Sequence, residues 1–178
     1  MPEWGPCFTV SFDLMISKFI GRYYKSILSF TTDPGHCCDV GDRVPAILLK
    51  MDTKQFHVAT QIDDNGNSNM NSEINVETNR WYHIEMSQKI ENDSDVSNCH
   101  IILNWTTHFW AQVYFEASVD SNVFGRKKND KPTTFKNVSV IAGLKEIWAG
   151  SIEGAFYKNL VTTTHKCYPG NRNYEEPI

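Results

Sequence analysis

Residues 7–15 read CFTVSFDLM, and the order of apolar and polar side chains in this stretch decides the fold class. Phe8, Val10, Phe12 and Leu14 occupy every second position, with Thr9, Ser11 and Asp13 between them. Successive side chains of a strand point to opposite faces, so this order puts large apolar groups on one face and polar groups on the other, as a half-buried β-strand requires. The same period recurs in WYHIEMSQ, residues 81–88, where Tyr82, Ile84 and Met86 alternate with Trp81, His83, Glu85 and Ser87. That strand has one solid apolar face and one mixed face.

Working outward, further strands are expected at 23–31, 44–51, 55–62, 100–104, 110–117, 134–142 and 152–161. Between them lie clusters such as TTDPG, DDNGNSNMNSE and RKKNDKP. Their Pro, Gly, Asn and Asp residues end strands through dihedral preference and local side-chain hydrogen bonds. Asn65-Gly66 suits a turn with positive φ. No stretch long enough for a globular helix carries a convincing helical period, although a short turn fits near 145–148. No repeat is present, and no Gly-rich phosphate loop follows a strand, which excludes a doubly wound nucleotide fold. Many short strands with polar turns predict an antiparallel sandwich or barrel.

The chain has 178 residues, 40% of them hydrophobic and 21% charged, the size and composition of one domain with a real core. The net charge is −4 and the basic residues are scattered, the densest run being Arg126, Lys127 and Lys128 near Lys131. That run reads as a solvated loop, so nucleic acid is not an expected partner. No window reaches the length of a membrane helix, so direct membrane insertion is not expected. The opening MPEWGPC lacks the basic start and apolar run of a secretory leader, so a secreted form implies a leader already removed. The ending YPGNRNYEEPI reads as an irregular tail, giving a domain over 1–166 and a tail or the start of a linker over 167–178.

The cysteines are Cys7, Cys37, Cys38, Cys99 and Cys167. None form the close pairs typical of zinc sites, and the side chains of neighbouring Cys37 and Cys38 diverge. Disulfides are expected for at least two, with one of the doublet joined to Cys7, Cys99 or Cys167. One arrangement links Cys7 with Cys167 and Cys99 with the doublet, but the connectivity stays open. Glycosylation sequons begin at Asn92, Asn104 and Asn137. Cysteines and sequons together point to an extracellular or cell-surface protein.

The order GDRVPAILL, FHVATQIDDNGNSN, WYHIEMSQ, FKNVSVIAG and SIEGAFYKNL resembles the concanavalin A-like superfamily, in particular the laminin G-like and pentraxin-like jelly-roll domains of invertebrate extracellular proteins. The likeness runs over about residues 8–161. It implies an all-β jelly-roll sandwich of two antiparallel sheets. The chain departs from it in having Asn104-Trp105 where a hairpin Asn-Gly is common, and in lacking cysteines over 57–71. Such domains are mostly binding modules with some sugar-cleaving enzymes, so the site must decide function.

A retaining glycosidase needs two closely spaced carboxylates. Glu73 and Glu77 stand at i and i+4, but Asn75 occupies the place of the middle acid in the Glu-x-Asp-x-x-Glu arrangement of laminarinase-like members. His57 and His83 fall in periodic strands and read as packed or cross-strand residues, and no nucleophile elbow is present. The chain is therefore read as a non-enzyme: an extracellular adhesion or recognition module for a protein or glycan. The alternative is a carbohydrate-binding lectin with calcium as cofactor, using Asp63, Asp64 and Asn67, whose oxygens are of the right type although the ordinary reading of this segment is a polar turn. A glycoside hydrolase is a weaker alternative. Trp105, Trp110 and Trp148, with Asn67, are the candidate ligand contacts, because flat rings stack on sugars or anchor proteins.

Overall fold

A computed structural model describes residues 3–21, 23–34, 38–91, 112–145 and 149–165. The described residues are all-β, in agreement with the sequence period. The first large sheet contains β2 (Cys7–Ile16), β7 (Trp81–Glu91), β8 (Gln112–Val119), β9 (Asn122–Asn129) and β13 (Ala155–His165), in the order β13-β2-β7-β8-β9. The second contains β3 (Tyr24–Thr31), β4 (Ala46–Lys50), β5 (Gln55–Ile62), β6 (Asn65–Asn71) and β11 (Ser139–Ala142), in the order β11-β3-β4-β5-β6. The short β12 (Ala149–Ser151) runs parallel to the start of β3. A small ribbon of β1 (Glu3–Trp4) and β10 (Phe135–Lys136) lies apart from both sheets.

The alternation in CFTVSFDLM becomes the sandwich interior. Phe8, Val10, Phe12 and Leu14 of β2, with Tyr82, Ile84 and Met86 of β7, are buried in the same apolar cluster as Ile47 and Leu49 of β4 and Phe56 and Val58 of β5. Phe56 meets Tyr82 edge-on, with ring centroids 5.6 Å apart. Trp4 caps one end of this core, with its ring 4.8 Å from that of Phe30 and 5.0 Å from that of Phe8. Burying an aromatic ring of this kind contributes about 1.5–3 kcal/mol relative to leaving it exposed.

Two strands are hidden in the sequence. DDNGNSNMNSE is not a turn throughout: the chain reverses at Asp63–Asp64 and then forms β6. Its inward positions carry Gly66, Ser68 and Met70, so the apolar signal is nearly absent and the asparagines dominate the reading. The basic run is likewise a strand, β9, and not a loop. Its cations have partners while Arg126 and Lys128 stay exposed to solvent: Arg126 pairs with Glu91, Lys127 donates to Ser68 Oγ at 2.8 Å, and Lys128 pairs with Asp130 at 2.7 Å. Among the described residues no helix is long and apolar enough to cross a membrane.

Candidate functional site

The six-stranded sheet has a second face, turned away from the sandwich interior. Strand pairing aligns Ser26, Leu48, His57 and Asn71 in one row across β3, β4, β5 and β6. The next row places Ala46, Ala59 and Asn69 side by side. Ala46, Leu48 and Ala59 are buried and cluster with Ala149 and Tyr24, forming a smooth apolar floor. Small side chains here leave room above the sheet. The resulting cavity, of about 270 Å³, is lined by Tyr24, Cys38, Arg43, Leu48, His57, Asn67, Asn69 and Ala149. A depression beside Trp4 and Phe135 holds only about 10 Å³, room for a water and no more.

Arg43 enters the cavity wall from the loop before β4, and that loop is tightly held. Gly41 N donates to Gln61 Oε1 at 3.2 Å, Gln61 N donates to Arg43 O at 3.1 Å, and Asp39 N donates to Asp42 Oδ2 at 2.8 Å. The loop lies directly on β6: a Cβ added at Gly66 would fall 2.2 Å from Asp39 O. This close approach is why residue 66 must be glycine, and it brings Arg43 Nη1 within 2.8 Å of Asn67 Oδ1, to which it donates. A guanidinium buried with a fixed partner is pre-organised for a planar anion.

His57 is buried at 8% exposure. Its Nδ1 lies 2.8 Å from Asn71 Oδ1. An amide oxygen only accepts, so Nδ1 carries the proton and Nε2 keeps its lone pair. Burial lowers the imidazole's pKa from the ordinary histidine value, the Asn71 bond opposes this, and Arg43 and Lys50 add to the lowering. His57 is thus neutral at pH 7. The Tyr24 ring lies 4.8 Å from the His57 ring, centroid to centroid. Within one cavity the fold therefore assembles a neutral imidazole, a phenol, a guanidinium and two asparagine amides.

Of the ligand and metal candidates named from the sequence, Asn67 reaches this cavity among those that the structure describes, and Cys38 and His57 also line it. Trp105, Trp110 and Trp148 lie outside the described residues, as do Asn92, Asn104, Cys37, Cys99 and Cys167. The oxygens of the calcium reading have protein partners. Asp63 Oδ1 accepts from the backbone of Asp130 at 2.6 Å and of Lys131 at 3.0 Å, Asp64 pairs with Lys131, and Asn67 Oδ1 serves Arg43. These oxygens diverge onto protein donors, and no group of three or more His, Cys, Asp or Glu among the described residues could hold a metal. Glu73 and Glu77 are exposed in the irregular connection after β6, so they do not share a strand face as a carboxylate pair.

The glycoprotein expectation is corrected. Asn137 is exposed at φ +56°, a left-handed turn position that favours asparagine in its own right, so its sequon is explained without a glycan. Cys7 and Cys38, the latter from the doublet, are disulfide-bonded. Arg43, in the loop before β4, and His57, a packed strand residue by sequence, prove to be the principal groups of the cavity. Their only common signal in sequence is that both precede or occupy strongly apolar strands; nothing in their spacing brings them together.

No protein-family model and no curated protein sequence matches the chain. Solved structures with similar folds are a heptameric SAP-like pentraxin from Limulus polyphemus, an alginate lyase from Pseudomonas aeruginosa and an endo-β-1,4-glucuronan lyase from the fungus Trichoderma reesei. The pentraxin is 16% identical with a TM-score of 0.53, over 91% of this chain and 65% of its own. This chain thus spans slightly less than two thirds of the pentraxin. The alginate lyase is 11% identical with a TM-score of 0.56, over 92% of this chain and 68% of its own. The glucuronan lyase is 14% identical with a TM-score of 0.53, over 92% of this chain and 70% of its own. The expectation of a non-enzyme is corrected by these likenesses, because the architecture is shared with two polysaccharide lyases and does not argue against catalysis. The chain is a β-sandwich of jelly-roll type, similar in fold to a pentraxin, an alginate lyase and a glucuronan lyase.

Proposed function

We propose that the cavity binds a uronate unit of an acidic polysaccharide and that the protein cleaves the polymer there by β-elimination. The observation that carries this reading is the neutral, Asn71-tethered His57 in the same cavity as Tyr24 and Arg43. Elimination from a uronate needs three things. The carboxylate must be neutralised so that the C5 hydrogen becomes acidic, a base must take that proton, and an acid must protonate the departing glycosidic oxygen at C4. Arg43, with the Asn67 and Asn69 amides, supplies the first requirement. His57 Nε2 takes the proton, the C4–C5 double bond forms as the C4–O bond breaks, and the Tyr24 hydroxyl protonates the leaving oxygen.

The apolar floor of Ala46, Leu48 and Ala59 suits the flat carbon face of a sugar ring. The named substrates of the two similar lyases, alginate and glucuronan, are polyuronates and agree with this chemistry. An extracellular or cell-surface setting belongs to the reading, because polymers of this size are met outside cells. The test is incubation with alginate and with polyglucuronate, followed through the ultraviolet absorbance of the conjugated unsaturated product. His57→Ala should lower kcat at least about a hundredfold, and Arg43→Lys should chiefly raise KM. Absence of unsaturated product from both polymers would defeat the elimination. Retention of binding in that case would leave acidic-glycan recognition standing.

A further inference from the structure

The opposite side of the molecule, the outer face of the five-stranded sheet, carries a row of large apolar side chains at a place where a strand face normally presents polar groups. Phe156 of β13, Met15 of β2 and Trp81 of β7 are direct cross-strand neighbours. Phe156 is 50% exposed and Trp81 40% exposed. The two rings are separated by two strand spacings, about 10 Å, on one face of the sheet. Beneath them runs a polar row, Lys158, Asp13 and His83, in the same register.

The polar row is built and not merely exposed. Asp13 accepts from His83 Nδ1 at 2.7 Å and from Asn159 Nδ2 at 2.7 Å, and Lys158 Nζ lies 3.9 Å away. Asn159 reaches Asp13 from an irregularity in β13, at φ +55°, where the register with β2 shifts between Lys158 and Val161. Bulges of this kind re-aim side chains and recur beside functional sites. Lys158 Nζ also stands 4.2 Å from the Trp81 ring centroid, fixing that ring in place. At the end of the row Arg80 pairs with Asp120 at 3.3 Å. Each of these charges beside the rings has an opposite partner, so the surface has no excess charge to offer an ionic ligand.

The geometry points to a binding platform for a neutral, extended polysaccharide lying across β13, β2 and β7, with alternate sugar units stacked on Phe156 and Trp81. His83 Nε2, the Asn159 carbonyl and the Lys158 ammonium face the hydroxyl groups of such a chain. A protein partner fits less well. At these exposures the two rings present roughly 200 Å², about a quarter of the ~800 Å² per partner that a stable protein interface buries.

The test is native affinity electrophoresis in gels containing hydroxyethylcellulose or, separately, galactomannan. Wild-type protein should be retarded by at least one, and Trp81→Ala and Phe156→Ser should each weaken that retardation about fivefold or more. His57→Ala should be retarded like wild type, which separates this platform from the uronate cavity. Thermal melting of both platform variants checks folding, and since they sit on different strands, one folded variant suffices. The proposal is overturned if neither polymer retards the wild type, or if retardation survives in a folded variant. It is equally overturned if sedimentation shows a wild-type dimer that Trp81→Ala dissociates, for then a second copy covers the face.

Discussion

Gly66→Ala is the sharpest perturbation of the framework that holds the cavity. A Cβ at residue 66 would lie 2.2 Å from Asp39 O, 2.3 Å from Asp39 C and 2.7 Å from Val40 N, whereas real Cβ atoms essentially never come within 3.0 Å of a neighbour. All three obstacles are backbone atoms of a loop tied down by the Gly41–Gln61 and Arg43–Gln61 hydrogen bonds, so none can swing aside. Overpacking of this kind costs about 1–3 kcal/mol. For a chain of this length that corresponds to a fall in Tm of roughly 3–10 °C. Gly150→Ala is the matched control: its nearest obstacle, at 2.8 Å, is the mobile end of the Lys25 side chain, and its φ is not in the left-handed region. There the reduced freedom of the unfolded chain should leave stability within about 1 kcal/mol of wild type. Urea denaturation with an unchanged m-value measures both. A Gly66→Ala protein as stable as Gly150→Ala would refute the packing of the 38–45 loop on β6, and with it the placement of Arg43 beside Asn67.

Three further outcomes are expected. Phe12→Ala removes a fully buried ring from the centre of the core and should cost about 3–5 kcal/mol in urea denaturation. Burial raises the Tyr157 hydroxyl to about 12 from an ordinary 10; a raised folded value means stability is fully present below pH 10 and is lost as the pH rises towards 12, and Tyr157→Phe should flatten that alkaline decline while losing about 1 kcal/mol at neutral pH with the 2.9 Å bond to Ile27 O. His57 has the opposite sign of shift: because folding lowers its pKa, the stability it contributes is present above about pH 6.5 and declines as the pH falls below that. His57→Gln should lessen that acid decline in thermal melts recorded across pH 4–7, and an identical pH profile would contradict the buried neutral imidazole.

The strands with one strongly apolar face are legible from the sequence, since β2 and β7 each declare their inward residues by alternation alone. Strands β6 and β9 are not. One carries Gly, Ser and Met inward between asparagines, and the other ends in a run of basic residues, so their pairing rests on neighbours and not on their own hydrophobicity. Asn67 stands out in the sequence for its oxygen, but as a metal ligand; in the fold that oxygen receives Arg43. His57 reads as a packed strand residue, which its burial bears out, yet its other role comes into view only with Asn71, Arg43 and Tyr24 placed around it.

What the sequence determined by itself was the two-residue period, and through it the all-β class and the membership of the core, because alternation is a property of each strand taken alone. What the tertiary structure decided was the site. Residues 24, 43, 57 and 67 meet because β3, β4, β5 and β6 pair in a particular register and because a glycine lets one loop press onto the last of those strands. Register is set between strands, by pairing and by packing against the opposite sheet, and so it is written in no single segment of the chain.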